Sequence, residues 1–254
     1  MRILFFCICF LALPAMVLAY YPEAGKIAAQ LRKEYKSLDA YQVVISFEKE
    51  PDLELRLWQQ GQNWRQEWVK KSSGKAGIVA AAIGFKGKFI TRYPSEEPVP
   101  VPVLDLWNQE KPYIWWQDMG VDTNIKSYQF FKHRPCLVLG AGSNELKQAQ
   151  IWIDNKNKVP LRVYTDDNLE WQWYKYHNIG NFLVPHKARL ISAQGRSFVL
   201  NIAWGAINKK IPPKLFSKRE FEEKFAGVPA PSSKFSSKLL QQLKLVIPLA
   251  ESAH

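Results

Sequence analysis

Apolar and polar residues alternate along most of this chain, and the period of that alternation predicts its secondary structure. Residues 23–38 repeat apolar side chains such as Ile27 and Leu31 at helical spacing, which predicts an amphipathic helix. From Tyr41 onward the period becomes two, which is typical of strands with one buried face. The chain is therefore predicted to begin with a helix and to continue as a β-structure.

Short turns separate the predicted strands. Pro51 with Asp52, and residues 60–63, are turn signals between the first strands, and residues 76–91 fit a strand, a turn and a strand. The later strands are predicted at residues 128–139, 148–154, 161–165, 169–176, 183–192 and 196–207. An antiparallel meander of this length must curl into a barrel or half-barrel to hide its apolar face.

One region between the two groups of strands fits neither period. Prolines at 94, 98, 100 and 102 predict an extended loop. Residues 103–118 are interpreted as a short helix and an aromatic loop.

The first 19 residues have the pattern of a secretory signal peptide. Arg2 precedes a short apolar run, and small residues precede a cleavage point after Ala19. The run is too short for a permanent bilayer anchor, although an uncleaved N-terminal anchor is the alternative. Cleavage would leave Tyr20 first, without a lipid-accepting cysteine, so we expect an exported, periplasmic and non-lipidated protein.

Charge and cysteine content narrow the possible partners. The formal net charge is +12, and removal of Arg2 leaves +11. Such a basic excess favours a polyanionic partner, but export argues against nucleic acid and leaves an anionic membrane surface. Cys136 is the one cysteine left after cleavage, so neither an internal disulfide nor a cysteine metal cluster is expected.

Common catalytic and metal-binding motifs are missing from the sequence. His133 and Cys136 are three residues apart on a predicted strand, which points them to opposite faces. His177 and His186 flank one turn, but no third ligand lies near them in the sequence. We therefore predict a protein that is not an enzyme and that needs neither a cofactor nor a metal.

Aromatic side chains are concentrated on the predicted strands. A curved sheet can use one face for an ordinary core and the other to line an open apolar cavity. An exported protein without catalytic residues then fits the carriage of an apolar molecule. The aromatic residues are Trp58, Trp64, Trp68, Trp152, Trp171, Trp173, Trp204, Tyr164, Tyr174 and Tyr176.

Three short motifs occur in order within residues 23–217. They are Trp58-x-x-Gly61-x-x-Trp64-Arg65-x-Glu67, Trp152-x-Asp154 through Pro160-x-Arg162, and Ile207-Asn208-x-x-Ile211-Pro212-x-x-Leu215-Phe216. In order and separation they resemble the bacterial outer-membrane lipoprotein carrier and sorting family, the LolA-like group.

This resemblance implies a mainly β (α+β) fold: a single curved antiparallel sheet forming an incomplete barrel, with helices covering the open side. It also implies an apolar cavity for the acyl chains of a lipoprotein or lipid. The expected domains are a signal peptide at 1–19, a LolA-like half-barrel at 20–217, and a basic linker with an amphipathic tail at 218–254. The expected function is a periplasmic carrier between envelope membranes. The alternative is a regulatory or scaffold protein that docks a membrane partner.

Strand alternation predicts which side chains line the cavity. Arg65 should face away from Trp64 and Trp68, either in a solvated ion pair with Glu67 or, by the resemblance, as a polar gate that contacts the lid. The residues predicted to line the cavity are Leu55, Leu57, Ile151, Ile153, Leu161, Val163, Trp171, Trp173, Leu200 and Ile202.

The C-terminal tail combines a linker with a short amphipathic helix. Prolines and small residues at 229–233 are typical of a linker. Leu239, Leu243 and Ile247 then form an apolar stripe beside Lys238 and Lys244. We expect residues 232–254 to dock on an anionic membrane surface or an inner-membrane partner, or to pack back on the protein itself.

Overall fold

The computed structural model describes residues 21–72, 75–86, 88–94, 111–142, 148–166, 168–191 and 193–228. The predicted signal peptide at 1–19 and the predicted tail at 232–254 lie outside the described residues. So do most of the proline-rich loop and the first part of the 103–118 segment.

The described chain contains three α-helices, twelve strands and one 3-10 helix. The helices are α1 (Ala24–Tyr35), α2 (Pro112–Asp118) and α3 (Lys218–Phe225), and the 3-10 helix is Pro213–Phe216. The first strands are β1 (Ala40–Phe47), β2 (Glu50–Gln60), β3 (Asn63–Ser72), β4 (Lys75–Phe85) and β5 (Lys88–Tyr93). The others are β6 (Lys126–Phe131), β7 (Arg134–Leu139), β8 (Gln150–Asp154), β9 (Pro160–Tyr164), β10 (Glu170–Ile179), β11 (Phe182–Ile191) and β12 (Ser197–Ile207).

All twelve strands belong to one antiparallel sheet that does not close into a barrel. The order is β5-β4-β3-β2-β1-β12-β11-β10-β9-β8-β7-β6, so β5 and β6 are its two edges. Apart from β5 and β6, strands that follow each other in the chain pair with each other, and β1 pairs with β12 to join the two halves of the sheet. This confirms the predicted fold class: mainly β, a single unclosed antiparallel sheet with helices.

Helix α1 follows the predicted helical spacing. Its apolar side chains are buried together, including Ile27, Leu31 and Tyr35. The Tyr35 hydroxyl donates a hydrogen bond to the carbonyl of Leu183 in the turn end of β11. Burial raises the pKa of Tyr35, which keeps this phenol protonated as a donor. The C-terminal end of α1 is thus held against the β10–β11 hairpin.

The prediction of one strand over residues 128–139 is wrong. Lys132 and His133 have φ angles of 49° and 64° and form a two-residue turn between β6 and β7. This turn type usually carries Asn-Gly, and Lys-His gave no such signal. His133 therefore lies in a turn. The expectation that strand alternation points its side chain away from Cys136 does not apply there.

The segment after β12 turns back to the start of β1. Asn208 has a φ of 53° and accepts hydrogen bonds on Oδ1 from the amides of Asp39, at 3.0 Å, and Ala40, at 3.2 Å. Its Nδ2 donates to the carbonyl of Ser37 at 2.6 Å. Because Asn tolerates the left-handed region and bonds locally, it suits this corner of the third sequence motif.

Helix α3 packs on the sheet beyond residue 217, the expected end of the half-barrel domain. The hydroxyl of Ser217 accepts from the amide of Glu220 and caps the helix. Phe221 is buried in a cluster with Ala81, Ile83 and Tyr93. The described packing on the sheet therefore extends through α3, which ends at Phe225.

Candidate ligand-binding site

The pairing of β1, β2 and β12 defines one face of the sheet. Ile45 pairs with Leu55 on one side and with Ile202 on the other. Leu57 and Leu200 lie two residues from Leu55 and Ile202 on the same strands, so they share that face. We call this face the inner face.

The inner face continues without interruption into the second half of the sheet. Leu200 pairs with Ala188, which pairs with Trp173. Two residues from Trp173 on β10, Trp171 pairs with Val163, which pairs with Ile151.

Ile153 and Leu161 lie two residues farther along β8 and β9. All ten residues predicted to line a cavity therefore share the inner face. Nine of them are buried in one core, and Trp171 is half-buried against it.

Helices cover the inner face. Ile27 of α1 lines a small cavity together with Leu137 and Ile153 of the sheet, and its rim carries Lys26 and Asp154. The cavity measures about 100 Å³, whereas sites for drug-sized ligands span roughly 300–1,000 Å³. Helix α2 lies beside α1 and buries Trp116 in the same core. This cavity by itself is therefore smaller than a typical ligand site.

Strand β3 places a polar side chain among the apolar ones of the inner face. Trp64, Gln66 and Trp68 alternate along the strand and point inward, and Gln66 is completely buried. The two indole Nε1 atoms and both amide atoms of Gln66 have no hydrogen-bond partner. Leaving such a group unpaired costs about 1–3 kcal/mol. Gln66 is not among the predicted site residues, although a glutamine between two tryptophans on the same face of a strand was the available signal.

The opposite, outer face of β3 carries an ionic cluster. The Arg65 guanidinium bonds the carboxylate of Glu67 and donates to the carbonyl of Leu215 at 2.9 Å. It also lies 5.5 Å from the ring centroid of Phe221. Lys224 of α3 donates to Glu67 at 2.8 Å. The predicted ion pair between Arg65 and Glu67 is present, but it is buried rather than solvated.

The contacts of Glu67 stabilise its carboxylate in the charged form. Burial raises the pKa of Glu67, but hydrogen bonds from Lys224 and Arg65, with their charges, outweigh burial and leave that pKa below its ordinary value. Arg65 thus contacts the C-terminal segment on the outer face, away from Trp64 and Trp68. Its role as a gate stays a prediction.

The remaining candidate groups are a pair of histidines and one cysteine. The rings of His177 and His186 lie 5.1 Å apart, and burial with the nearby His177 lowers the pKa of His186. Cys136 is buried, and burial raises its pKa to about 11. Among the described residues, no three His, Cys, Asp or Glu side chains group closely enough to hold a metal ion.

Exposed aromatic side chains mark the β6 edge of the sheet. Phe130 is 74% exposed and Tyr128 is 42% exposed. Tyr21 stacks on Tyr128 with ring centroids 5.0 Å apart. We call Tyr21, Tyr128 and Phe130 the β6 aromatic patch. Exposed apolar surface of this kind is typical of an interaction site.

The fold and the inner face define a class of protein: an open antiparallel sheet with helices over one apolar face. No family model and no curated protein matches the chain. A solved LolA superfamily protein, NE2245 from Nitrosomonas europaea, is similar at 14% identity and a TM-score of 0.48, covering 76% of this chain and 98% of its own.

Two further solved structures are similar at lower scores. A DUF1329 family protein from Desulfovibrio piger ATCC 29098 has 12% identity and a TM-score of 0.41, with 76% of this chain and 95% of that chain covered. MucB, solved in the MucA/MucB complex of Pseudomonas aeruginosa, has 12% identity and a TM-score of 0.32, with 76% and 62% covered. Within the described residues, no helix has the length and apolar character needed to cross a membrane.

Proposed function

We propose that this protein is an exported, periplasmic carrier that binds the acyl chains of a lipoprotein or lipid on its inner face. It then moves them between envelope membranes. The observation that carries this proposal is the continuous apolar inner face, which spans both halves of an unclosed sheet beneath α1 and α2. The proposed role is binding and transfer, without a catalytic step, a cofactor or a metal.

Binding is proposed to begin at the small cavity under α1, which is lined by Ile27 of the helix and Ile153 of the sheet. A ligand that inserts there would separate α1 from the sheet and replace their apolar contacts with its own chain. Such an exchange keeps apolar surface out of water in both states, because each surface is covered by the helix or by the ligand.

Native mass spectrometry of protein purified from the periplasm tests the proposal directly. We expect bound lipid that is lost on mild delipidation. In the delipidated protein, Ile153→Asp and Trp173→Asp should weaken binding of an apolar dye more than they change secondary structure.

Half-buried Trp171 provides a second test if those two variants unfold. Trp171→Asp should weaken dye binding, whereas Val199→Asp, half-buried on the outer face of β12, should leave it unchanged. Equal dye binding by folded Trp171→Asp and Val199→Asp would refute the proposed site.

A regulatory or scaffold protein is the second candidate, and the β6 aromatic patch favours it. An exposed ring on an edge strand can add apolar contact to a partner that pairs with that edge. Under this alternative, an inner-membrane protein co-purifies in stoichiometric amount, and Phe130→Ser or deletion of the tail reduces it.

Docking of the tail on lipid is distinguished by sedimentation with anionic vesicles. Full-length protein should sediment in a salt-sensitive manner, while a chain ending at Val228 should not. Equal and salt-insensitive sedimentation of the two would exclude membrane docking by the tail.

A further inference from the structure

The polar side chains of Arg65 and Glu67 on the outer face of β3 have hydrogen-bond partners, whereas those of Trp64, Gln66 and Trp68 on its inner face do not. On the outer face, Arg65 and Glu67 bond each other, the Leu215 carbonyl and Lys224. On the inner face, the indole N–H groups of Trp64 and Trp68 and both polar atoms of the Gln66 amide are buried without a partner. Since buried polar groups in proteins are almost always bonded, the inner row of β3 points to a polar group that comes from outside the chain.

The neighbours of Gln66 leave this amide in an apolar setting. It pairs across the sheet with Leu57 on β2 and with Ala82 on β4. Trp68 likewise pairs with Leu55 and Ala80. The β4 neighbours Ala80 and Ala82 offer only methyl groups to the tryptophan and glutamine donors, while the β2 side continues the apolar inner face.

The chemistry of the row restricts the group that it can bind. The two indoles and the amide N–H₂ are donors, the amide oxygen is an acceptor, and none of these groups is charged. Arg65, the cation on this part of β3, faces the other way. A buried phosphate or carboxylate anion would lack a compensating charge at this row, whereas neutral carbonyl oxygens would accept the donors without one.

We infer that Trp64, Gln66 and Trp68 form a hydrogen-bonding subsite for the ester or amide carbonyl groups of an acyl ligand. The inference rests on the proposed function, because it concerns the polar linkage of the same ligand whose chains lie on the inner face. The protein then distinguishes acylated compounds from hydrocarbon or ether chains of equal length.

Competition between two lipids tests the subsite. Delipidated full-length protein is mixed with equimolar dipalmitoylglycerol and its dihexadecyl diether analogue, which lacks both carbonyls, and the bound ratio is read by native mass spectrometry. We expect the diester to exceed the diether by about tenfold, which corresponds to about 1.4 kcal/mol, the scale of a net hydrogen bond.

Gln66→Met removes the amide and keeps the side-chain length, so the bound ratio should fall to near one. Gln42→Met, on the outer face of β1, is the matched control and should keep the wild-type ratio. Trp68→Phe, which removes one donor and keeps an aromatic ring, gives a second measurement if Gln66→Met does not fold, and it should also lower the ratio.

The outcomes separate the inference from the proposed function. Equal binding of the two lipids by the wild-type protein overturns the subsite and leaves the carrier proposal standing. An unchanged diester preference in both folded β3 variants also overturns the subsite, because Gln66 and Trp68 would then not be the groups that recognise the ester carbonyls. Binding of neither lipid overturns the carrier proposal and the subsite together.

Discussion

Replacement of Glu67 by glutamine should destabilise the protein strongly, although the change is nearly isosteric. Glu67 is 5% exposed and Arg65 is 3% exposed, so water cannot screen their pair. Without the carboxylate, the buried guanidinium would keep the Leu215 carbonyl and the ring of Phe221 as contacts. Removing one partner of a buried ion pair costs about 3–5 kcal/mol. Because the amide oxygen of the introduced glutamine can still accept one bond, we expect a loss of about 3 kcal/mol in the free energy of unfolding.

Two variants show whether burial is the cause of that loss. Lys224 binds the same carboxylate, but its side chain is 45% exposed, so Lys224→Met should cost about 0.2–1 kcal/mol. Replacing both Arg65 and Glu67 by methionine leaves no buried unpaired charge, because Lys224 is partly exposed, so the double variant should be more stable than Glu67→Gln.

The effect of Glu67 should also depend on pH. Its pKa in the folded protein is lowered, because the bonds and charges of Lys224 and Arg65 outweigh the effect of burial. A lowered pKa contributes stability that is fully present above the unfolded value of about 4.3 and is lost as the pH falls through the folded pKa. The difference between the wild type and Glu67→Gln should therefore narrow below about pH 4.

Urea unfolding followed by tryptophan fluorescence at pH 7 measures each of these differences. A loss of less than about 1 kcal/mol for Glu67→Gln would place the pair in the range of solvated surface ion pairs. A loss for Lys224→Met as large as that for Glu67→Gln would show that burial of the Arg65–Glu67 pair does not set the loss. Either result would refute the reasoning that burial makes this pair costly to break.

Two further predictions concern single positions. Gly84→Ala should lower the free energy of unfolding in urea by about 1–3 kcal/mol through overpacking. A Cβ there would lie 2.1 Å from the Trp64 ring and 2.3 Å from the Lys88 carbonyl oxygen. Wild-type stability of this variant would show that β3 and β5 can move away from β4 at no cost. Cys136 should resist alkylation by iodoacetamide at pH 8 in the folded protein and react in urea, since burial raises its pKa to about 11. Labelling is read by mass spectrometry, and rapid labelling of the folded protein would contradict the burial of this thiol.

The period of the sequence predicted the sheet and the faces of its strands well. In a strand every second side chain shares a face, so the residue number alone places Leu55 with Leu57 and Trp171 with Trp173. That all ten residues share the same face follows from the pairing register, which joins Leu55 to Ile202 through Ile45. Their role as a ligand-binding surface stays a prediction.

Features that depend on distant contacts could not be predicted in this way. Helix α3 has a polar sequence, and its attachment depends on Phe221 reaching the outer face and Lys224 reaching Glu67. The Lys132-His133 turn carries no glycine or asparagine, so the sequence has no turn signal between the residues of β6 and those of β7. The pattern placed Gln66 inward, but only the fold shows that its amide has no partner.

The opposite faces of β3 have complementary consequences for binding. The ionic cluster of Arg65 and Glu67 joins this strand to the segment around Leu215 and to α3, both on the outer face. Helix α1 covers the inner face, and its C-terminal end is held by the hydrogen bond from Tyr35 to the Leu183 carbonyl on β11. Movement of α1 away from the sheet would therefore leave the outer-face contacts of β3 with Leu215 and Lys224 in place. Donors on a fixed strand lose little freedom when they bind, so the inner row around Gln66 would be preorganised for its ligand even while its cover moves.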